Sequence, residues 1–162
     1  SASSRIRSTT ASPPMTVKPP RGVYTHISGI DLVRQYDTQA PVRVVPGKIE
    51  QVILNLVLNA RSAMHGQRGR LTVAVTSDAD GLVALKVQDT GCGIPPEHVE
   101  KIFDPFFTTR PRSGSNGDGN RDGAGLGLPV ARDLVRQAGG EIRVESAPGA
   151  GTTFTVLLPV AK

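Results

Sequence analysis

Apolar residues recur at Ile49, Val52, Ile53, Leu56, Val57, Ala60 and Ala63 with the three- and four-residue spacing of a helix that buries one face. The pattern predicts a helix over 47–65. The same periodicity at Val130, Ala131, Leu134, Val135 and Ala138 predicts one over 127–139, and a shorter helix is expected over 95–103. Period-two alternation predicts strands near 27–36, 42–45, 71–76, 82–88, 141–146 and 152–158. Gly81 and Pro148-Gly149 each separate two such runs, so hairpins are expected there and the sheet should be mixed. The fold class that follows is α+β, a two-layer α/β sandwich whose mixed, largely antiparallel sheet carries about three helices on one face.

Two polar residues interrupt the first helix in register. At roughly 100° per residue, Asn55 and Asn59 lie about 40° apart on one flank of the apolar stripe, with Asn59 about 20° from Val52. Both amides therefore stand where core meets cleft. An amide oxygen is a neutral, hard ligand suited to Mg²⁺, which takes few protein ligands and fills its remaining positions with water and substrate phosphates. The structural alternative is a pair of boundary asparagines bonded to backbone.

The strand Val83–Asp89 runs into Asp89-Thr-Gly91-Cys-Gly93-Ile94-Pro95. Glycines at alternate positions let a ligand approach the main chain. An ionised Asp only accepts hydrogen bonds, so at a pocket floor it suits the exocyclic amine of adenine and leaves the oxygen of guanine unpaired. An Asp cap on a tight turn is the other reading of that segment alone. Gly123-Ala-Gly125-Leu-Gly127-Leu128 then opens the 127–139 helix. Backbone N–H groups at such an end can hold phosphate without a cationic side chain. Neither the dinucleotide fingerprint nor a Walker Gly-Lys-Ser/Thr is present, so phosphate must be held by another architecture.

Taken in order, Asn55 and Asn59 resemble an N box, Asp89 to Pro95 a first glycine box, Ile102-Phe-Asp-Pro-Phe-Phe-Thr-Thr-Arg110 an F box, and Gly123 to Leu128 a second glycine box. The set, from about Ile27 to the end and including Gly139 to Phe154, resembles the ATP-binding catalytic domain of bacterial sensor histidine kinases. That domain belongs to the superfamily of gyrase, Hsp90 and MutL and has the Bergerat-type fold. The Phe-Phe-Thr-Thr-Arg form looks most like the nitrogen-regulation subgroup.

The resemblance implies a site for ATP and Mg²⁺. Asp89 would bind the adenine amine, Gly91, Gly93 and Ile94 would line the base pocket, and Thr152 would support the base through water. Asn59 would ligate the metal, with Asn55 beside it. Ala63, Thr108, Thr109 and Ala124 would border the nucleotide, and Phe106 and Phe107 would latch a lid over 110–125. Gly123, Gly125, Leu126, Gly127 and Leu128 would form the lid hinge and the helix end over the phosphates. Arg110 is the cation expected at the terminal phosphate, because many sensor kinases carry Lys three residues after the second Asn and this chain has Ser62. Arg61 is a second, less well-aimed candidate. The ATPases of the superfamily carry Glu where this chain has Asn55, and a carboxamide takes no proton at neutral pH.

Residues 1–48 hold seven Lys or Arg against two Asp or Glu, while 49–162 hold twelve of each. The net +5 is therefore confined to the first segment, and the candidate site region is neutral. With 4% aromatic residues, a solvated basic tail is expected rather than a nucleic-acid surface. Residues 1–22, rich in Ser, Thr and Pro, read as a flexible linker or expression remnant before a domain over 23–162. No apolar run is long enough to span a bilayer, so no direct membrane contact and a cytoplasmic location are expected. Cys92 is the only cysteine, which excludes an intrachain disulfide.

None of His26, His65 or His98 sits in the His-Glu/Asp-x-x-x-Pro context of a phosphoacceptor. The implied partners are the parent kinase's dimerisation and phosphoacceptor domain and, downstream, a response regulator; the chain itself is expected to be monomeric. A hydrolytic clamp ATPase, a noncatalytic nucleotide module and a Ser/Thr kinase stay open as alternatives.

Overall fold

The computed structural model describes residues 22–65, 67–78, 80–109 and 125–162. The expected lid up to residue 124, with Arg110, Gly123 and Ala124, and the arm over 1–21 lie outside the described residues. Six strands form one sheet: β1 (Val23–Ile27), β2 (Ile30–Tyr36), β3 (Gly69–Ser77), β4 (Leu82–Asp89), β5 (Glu141–Ser146) and β6 (Thr152–Pro159), in spatial order β1-β2-β3-β4-β6-β5. Only β2 and β3 run parallel, joined through the helix α1 (Pro46–Ala63); the other pairs are antiparallel. A parallel pair requires such a crossover, whereas β3–β4 and β5–β6 close through short turns.

Two longer helices cover one face. Val52, Leu56 and Ala60 of α1 meet Ala131 and Val135 of α3 (Gly127–Gln137) above Leu71, Leu85, Val87, Phe154, Val156 and Leu158 of the sheet. On β4 the alternation is strict: Val83, Leu85, Val87 and Asp89 are buried, while Lys86 and Gln88 face out. This is the two-layer α+β sandwich expected from the pattern. The alternation also carries Asp89 inward, at the end of a row otherwise filled by apolar residues.

Several boundaries differ from the expected ones. The run 27–36 is a hairpin, because Ser28 and Gly29 take left-handed φ of 49° and 83° and return the chain from β1 to β2. The segment 42–45 forms no strand: Val42 makes a single bridge to Val160, and prolines at 41 and 46 remove ladder donors on either side. The expected 95–103 helix is one α-helical turn, α2 (Pro96–Val99), followed by a 3₁₀ turn at Lys101–Phe103 that buries Ile102 and Phe103. Helix α1 stops at Ala63, and His65 has turned to φ 50°.

Candidate functional site

The site lies along α1, between the C-terminal end of β4 and the N-terminal end of α3. Asp89 is 2% exposed, and its carboxylate accepts the Gly91 N–H at 2.8 Å and the N–H of Thr152, its register partner on β6. Burial pushes its pKa above the ordinary carboxylate value, and the two N–H groups pull the other way without cancelling the shift. Among the described residues no cation pairs with it. A buried, ionisable acceptor held by backbone alone costs stability, which is common where a group is kept for binding.

The loop after Asp89 is fixed by close backbone approaches. A Cβ on Gly91 would come within 2.7 Å of the Ala63 carbonyl at the end of α1, and Cys92 N–H donates to that carbonyl at 3.0 Å. Gly93 has φ 73°, and a Cβ there would collide with the carbonyl of Ala147 in the β5–β6 turn. That turn answers with Gly149 N–H donating to Cys92 O at 2.7 Å. Both glycines are thus required by space, independently of any ligand. Ile94, half-buried, packs against the core. Cys92 is an exposed free thiol.

Further along α1, Asn55 is half-buried and bonded at both ends of its amide. Its Nδ2 donates to Gly127 O at 2.9 Å, and its Oδ1 accepts Gln51 Nε2 at 2.8 Å. A carbonyl can only accept, so this bond fixes the orientation of the amide. Asn59, also half-buried, has no hydrogen-bond partner among the described residues. The pair is therefore split: Asn55 ties α1 to the start of α3, and Asn59 keeps a free carboxamide. A Cβ built on Gly127 would lie 3.9 Å from the Asn55 side chain, an ordinary contact, so space alone does not demand glycine there.

Helix α3 begins at Gly127 with Leu126 as N-cap, no side-chain capping bond and no acidic residue in its first turn. Its leading N–H groups are suited to an anion. Leu128 packs on the core, and Leu126 is exposed. The expected phenylalanine pair divides. Phe107 packs on the core and sets its ring edge-on to His98 at 5.3 Å. Phe106 is 67% exposed with φ 65°, its N–H donating to Gly125 O at 3.0 Å. Gly125 itself has φ 69°, and a Cβ there would sit 2.6 Å from Phe107 O. Thr108 is half-buried and Thr109 exposed beside them.

Two residues went unread in the sequence. Gln51, four positions before Asn55, orients that amide through a helical i,i+4 pair. Ser146 accepts Ile94 N–H at 2.8 Å, reaches Gly151 O at 3.0 Å and meets Thr152 Oγ1 at 2.8 Å. Counting outward from the Pro148-Gly149 turn would have set Ser146 opposite Thr152, as the register does.

No three His, Cys, Asp or Glu side chains gather into a metal site among the described residues. A divalent cation here would have the Asn59 carboxamide and phosphate oxygens for ligands, a donor set that fits Mg²⁺. Of the cations expected at the phosphates, Arg110 lies outside the described residues and Arg61 is exposed in the last turn of α1. No described helix is long and apolar enough to cross a membrane.

Residues 44–162 match the family model described as histidine kinase-, DNA gyrase B- and HSP90-like ATPase. The sensor histidine kinase ZraS of Klebsiella oxytoca is 44% identical over 119 residues, which are 74% of this chain and 23% of that protein. The chain thus spans about a quarter of that relative's length. Among solved structures, the nucleotide-free catalytic domain of histidine kinase ThkA superposes with a TM-score of 0.68 at 31% identity, covering 83% of each chain. Full-length ShkA in complex with AMPPNP gives 0.69 at 28% identity, over 83% of this chain and 26% of that one. The chain belongs to the histidine kinase-, DNA gyrase B- and HSP90-like ATPase family, and within it is the ATP-binding catalytic domain of a histidine kinase.

Proposed function

We propose that the domain binds ATP with Mg²⁺ in the cleft between Asp89 and the start of α3, and transfers the γ-phosphoryl group to a histidine on a separate dimerisation and phosphoacceptor domain. The observation that carries this is Asp89: a buried carboxylate that caps the turn at Gly91, has no cation against it among the described residues, and keeps lone pairs that a ligand's donor would satisfy. The adenine 6-amino group is such a donor. With the base at Asp89, the asparagine flank of α1 and the uncapped end of α3 would hold the triphosphate.

Bound Mg²⁺ would supply compensation for charge on the phosphate oxygens, with Asn59 as its protein ligand. Asn55 holds the α3 N-terminus against α1 through Gly127, so the phosphate-facing N–H groups are presented at a fixed place. In the transfer, the bond from the γ-phosphorus to its bridging oxygen breaks, a bond to the acceptor imidazole nitrogen forms, and ADP leaves. A carboxamide cannot take a proton from water, so Asn55 disfavours hydrolysis as a competing route. Arg110 is assigned to the terminal phosphate on the strength of its place in the sequence.

The phosphohistidine then serves a response regulator aspartate, and the reading places the domain in the cytoplasm, where ATP is available. The nitrogen-regulation affinity rests on the Phe106-to-Arg110 sequence alone. The test is incubation with γ-labelled ATP and the parent kinase's acceptor helical hairpin. Acid-labile label on the acceptor is expected. Steady phosphate release without acceptor would instead make this a hydrolase, and acid-stable label would make it a Ser/Thr kinase.

A further inference from the structure

Ser146 has one hydroxyl proton and three polar neighbours. Gly151 O, at 3.0 Å, is a carbonyl and can only accept; Ile94 N–H, at 2.8 Å, can only donate. The third neighbour, Thr152 Oγ1 at 2.8 Å, could take either role. One assignment satisfies all of them. The Ser146 proton goes to Gly151 O, and the two lone pairs of Oγ receive Ile94 N–H and the Thr152 hydroxyl proton. The reverse assignment would turn a Ser146 lone pair toward the Gly151 carbonyl.

Thr152 is 3% exposed and adjoins Asp89, whose carboxylate takes the Thr152 N–H. With its hydroxyl proton directed to Ser146, Thr152 has only lone pairs left to offer. We propose that Ser146 is a specificity-determining positioning residue: it turns the Thr152 hydroxyl away from the pocket, making the floor beside Asp89 acceptor-only, and pins the Ile94 amide to the same oxygen. Such a floor suits the two hydrogens of a 6-amino purine and opposes the oxygen of a 6-oxo purine. The inference deepens the proposed adenine site and rests on that reading.

Removing Ser146 frees the Thr152 hydroxyl to rotate and donate to a 6-oxo group. The test compares calorimetric Kd values for ATP and ITP on the unaltered chain, Ser146→Ala and Ser146→Thr. The unaltered chain prefers ATP; Ser146→Ala narrows the ATP/ITP ratio by about tenfold, with ITP binding kept or improved, and Ser146→Thr restores the ratio. Should Ser146→Ala not fold, Ser146→Cys keeps nearly the same size with feeble hydrogen bonding, and the same narrowing is expected. An ATP preference in the unaltered chain, with both affinities falling in equal proportion in the variant, overturns the role given to Ser146 and leaves the adenine site standing. An unaltered chain that binds neither nucleotide, or prefers ITP, overturns the adenine site and this inference with it.

Discussion

The two ends of the cleft are built differently. At the base end, Asp89, Gly91–Gly93 and the β5–β6 turn lock together by backbone: Cys92 to Ala63, Gly149 to Cys92, Thr152 to Asp89. Strand ends of the sheet's interior supply the buried groups. At the phosphate end, α3 starts uncapped, Asn59 lacks a partner among the described residues, and Phe106 stands exposed in a left-handed conformation. On the proposed reading, recognition of the base would be organised before the nucleotide arrives, whereas the phosphate end would have groups whose partners the nucleotide and its metal supply. Specificity needs fixed donors and acceptors. Phosphoryl transfer needs positioning that is completed on the bound substrate.

The largest effect expected is at Asp89. Asp89→Asn should cost about 100-fold or more in ADP affinity by calorimetry, because the amide nitrogen facing the base meets a donor with a donor. Its thermal stability should be equal to the parent's or higher. The sign follows from burial raising the folded-state pKa above 3.8. Between the two values the folded chain keeps a proton that the unfolded chain has lost, so stability falls as pH rises through that window. Above it the ionised carboxylate carries its full cost, which Asn removes. A melt showing Asp89→Asn clearly less stable at neutral pH would mean that the carboxylate serves the fold instead.

Asn59→Ala should be smaller and of a different kind. Phosphotransfer is expected to drop by about 10- to 100-fold, with Mg²⁺ dependence shifted to higher concentration. Adenosine binding and Tm should stay close to those of the parent, since no described partner loses a bond. An equal loss of adenosine affinity would erase the distinction between the two ends.

The smallest effect separates two neighbours in the chain. Phe107→Ala removes a ring packed on the core and should cost about 2–3 kcal/mol by chemical denaturation. Phe106→Gly relieves a left-handed residue whose ring is mostly solvated, and should fall within about 1 kcal/mol of the parent. Comparable losses at both would show that Phe106 is packed in solution.

Much of the fold was legible because period sets burial. The α1 stripe, the alternation of β4 and the glycine-marked hairpins each follow from local sequence. The hairpin at Ser28-Gly29 was hidden, since Ile27 and Ile30 continue an apolar run on either side of it and nothing local marks the reversal except one Gly. The 42–45 segment misled in the opposite sense: Val42 and Val44 pack on the core, so their hydrophobicity is real, but the flanking prolines deny them a ladder. Asn55 and Asn59 could be placed on a flank but not told apart by what they bind.

The sequence by itself determined which residue types face inward and which chemistry is available, because helical and strand periods are local and a hydrogen-bonding repertoire belongs to the side chain. It set Asp89 on the buried row of β4, two amides on one edge of α1 and glycines where backbones meet. Only the tertiary structure decided that Gly127 comes to Asn55, 72 residues away, and that Ser146 reaches Ile94, 52 residues away. Those contacts depend on how the helix layer and the β5–β6 hairpin settle on the sheet. Which donor meets which acceptor is fixed by that packing, and no local pattern in the chain encodes it.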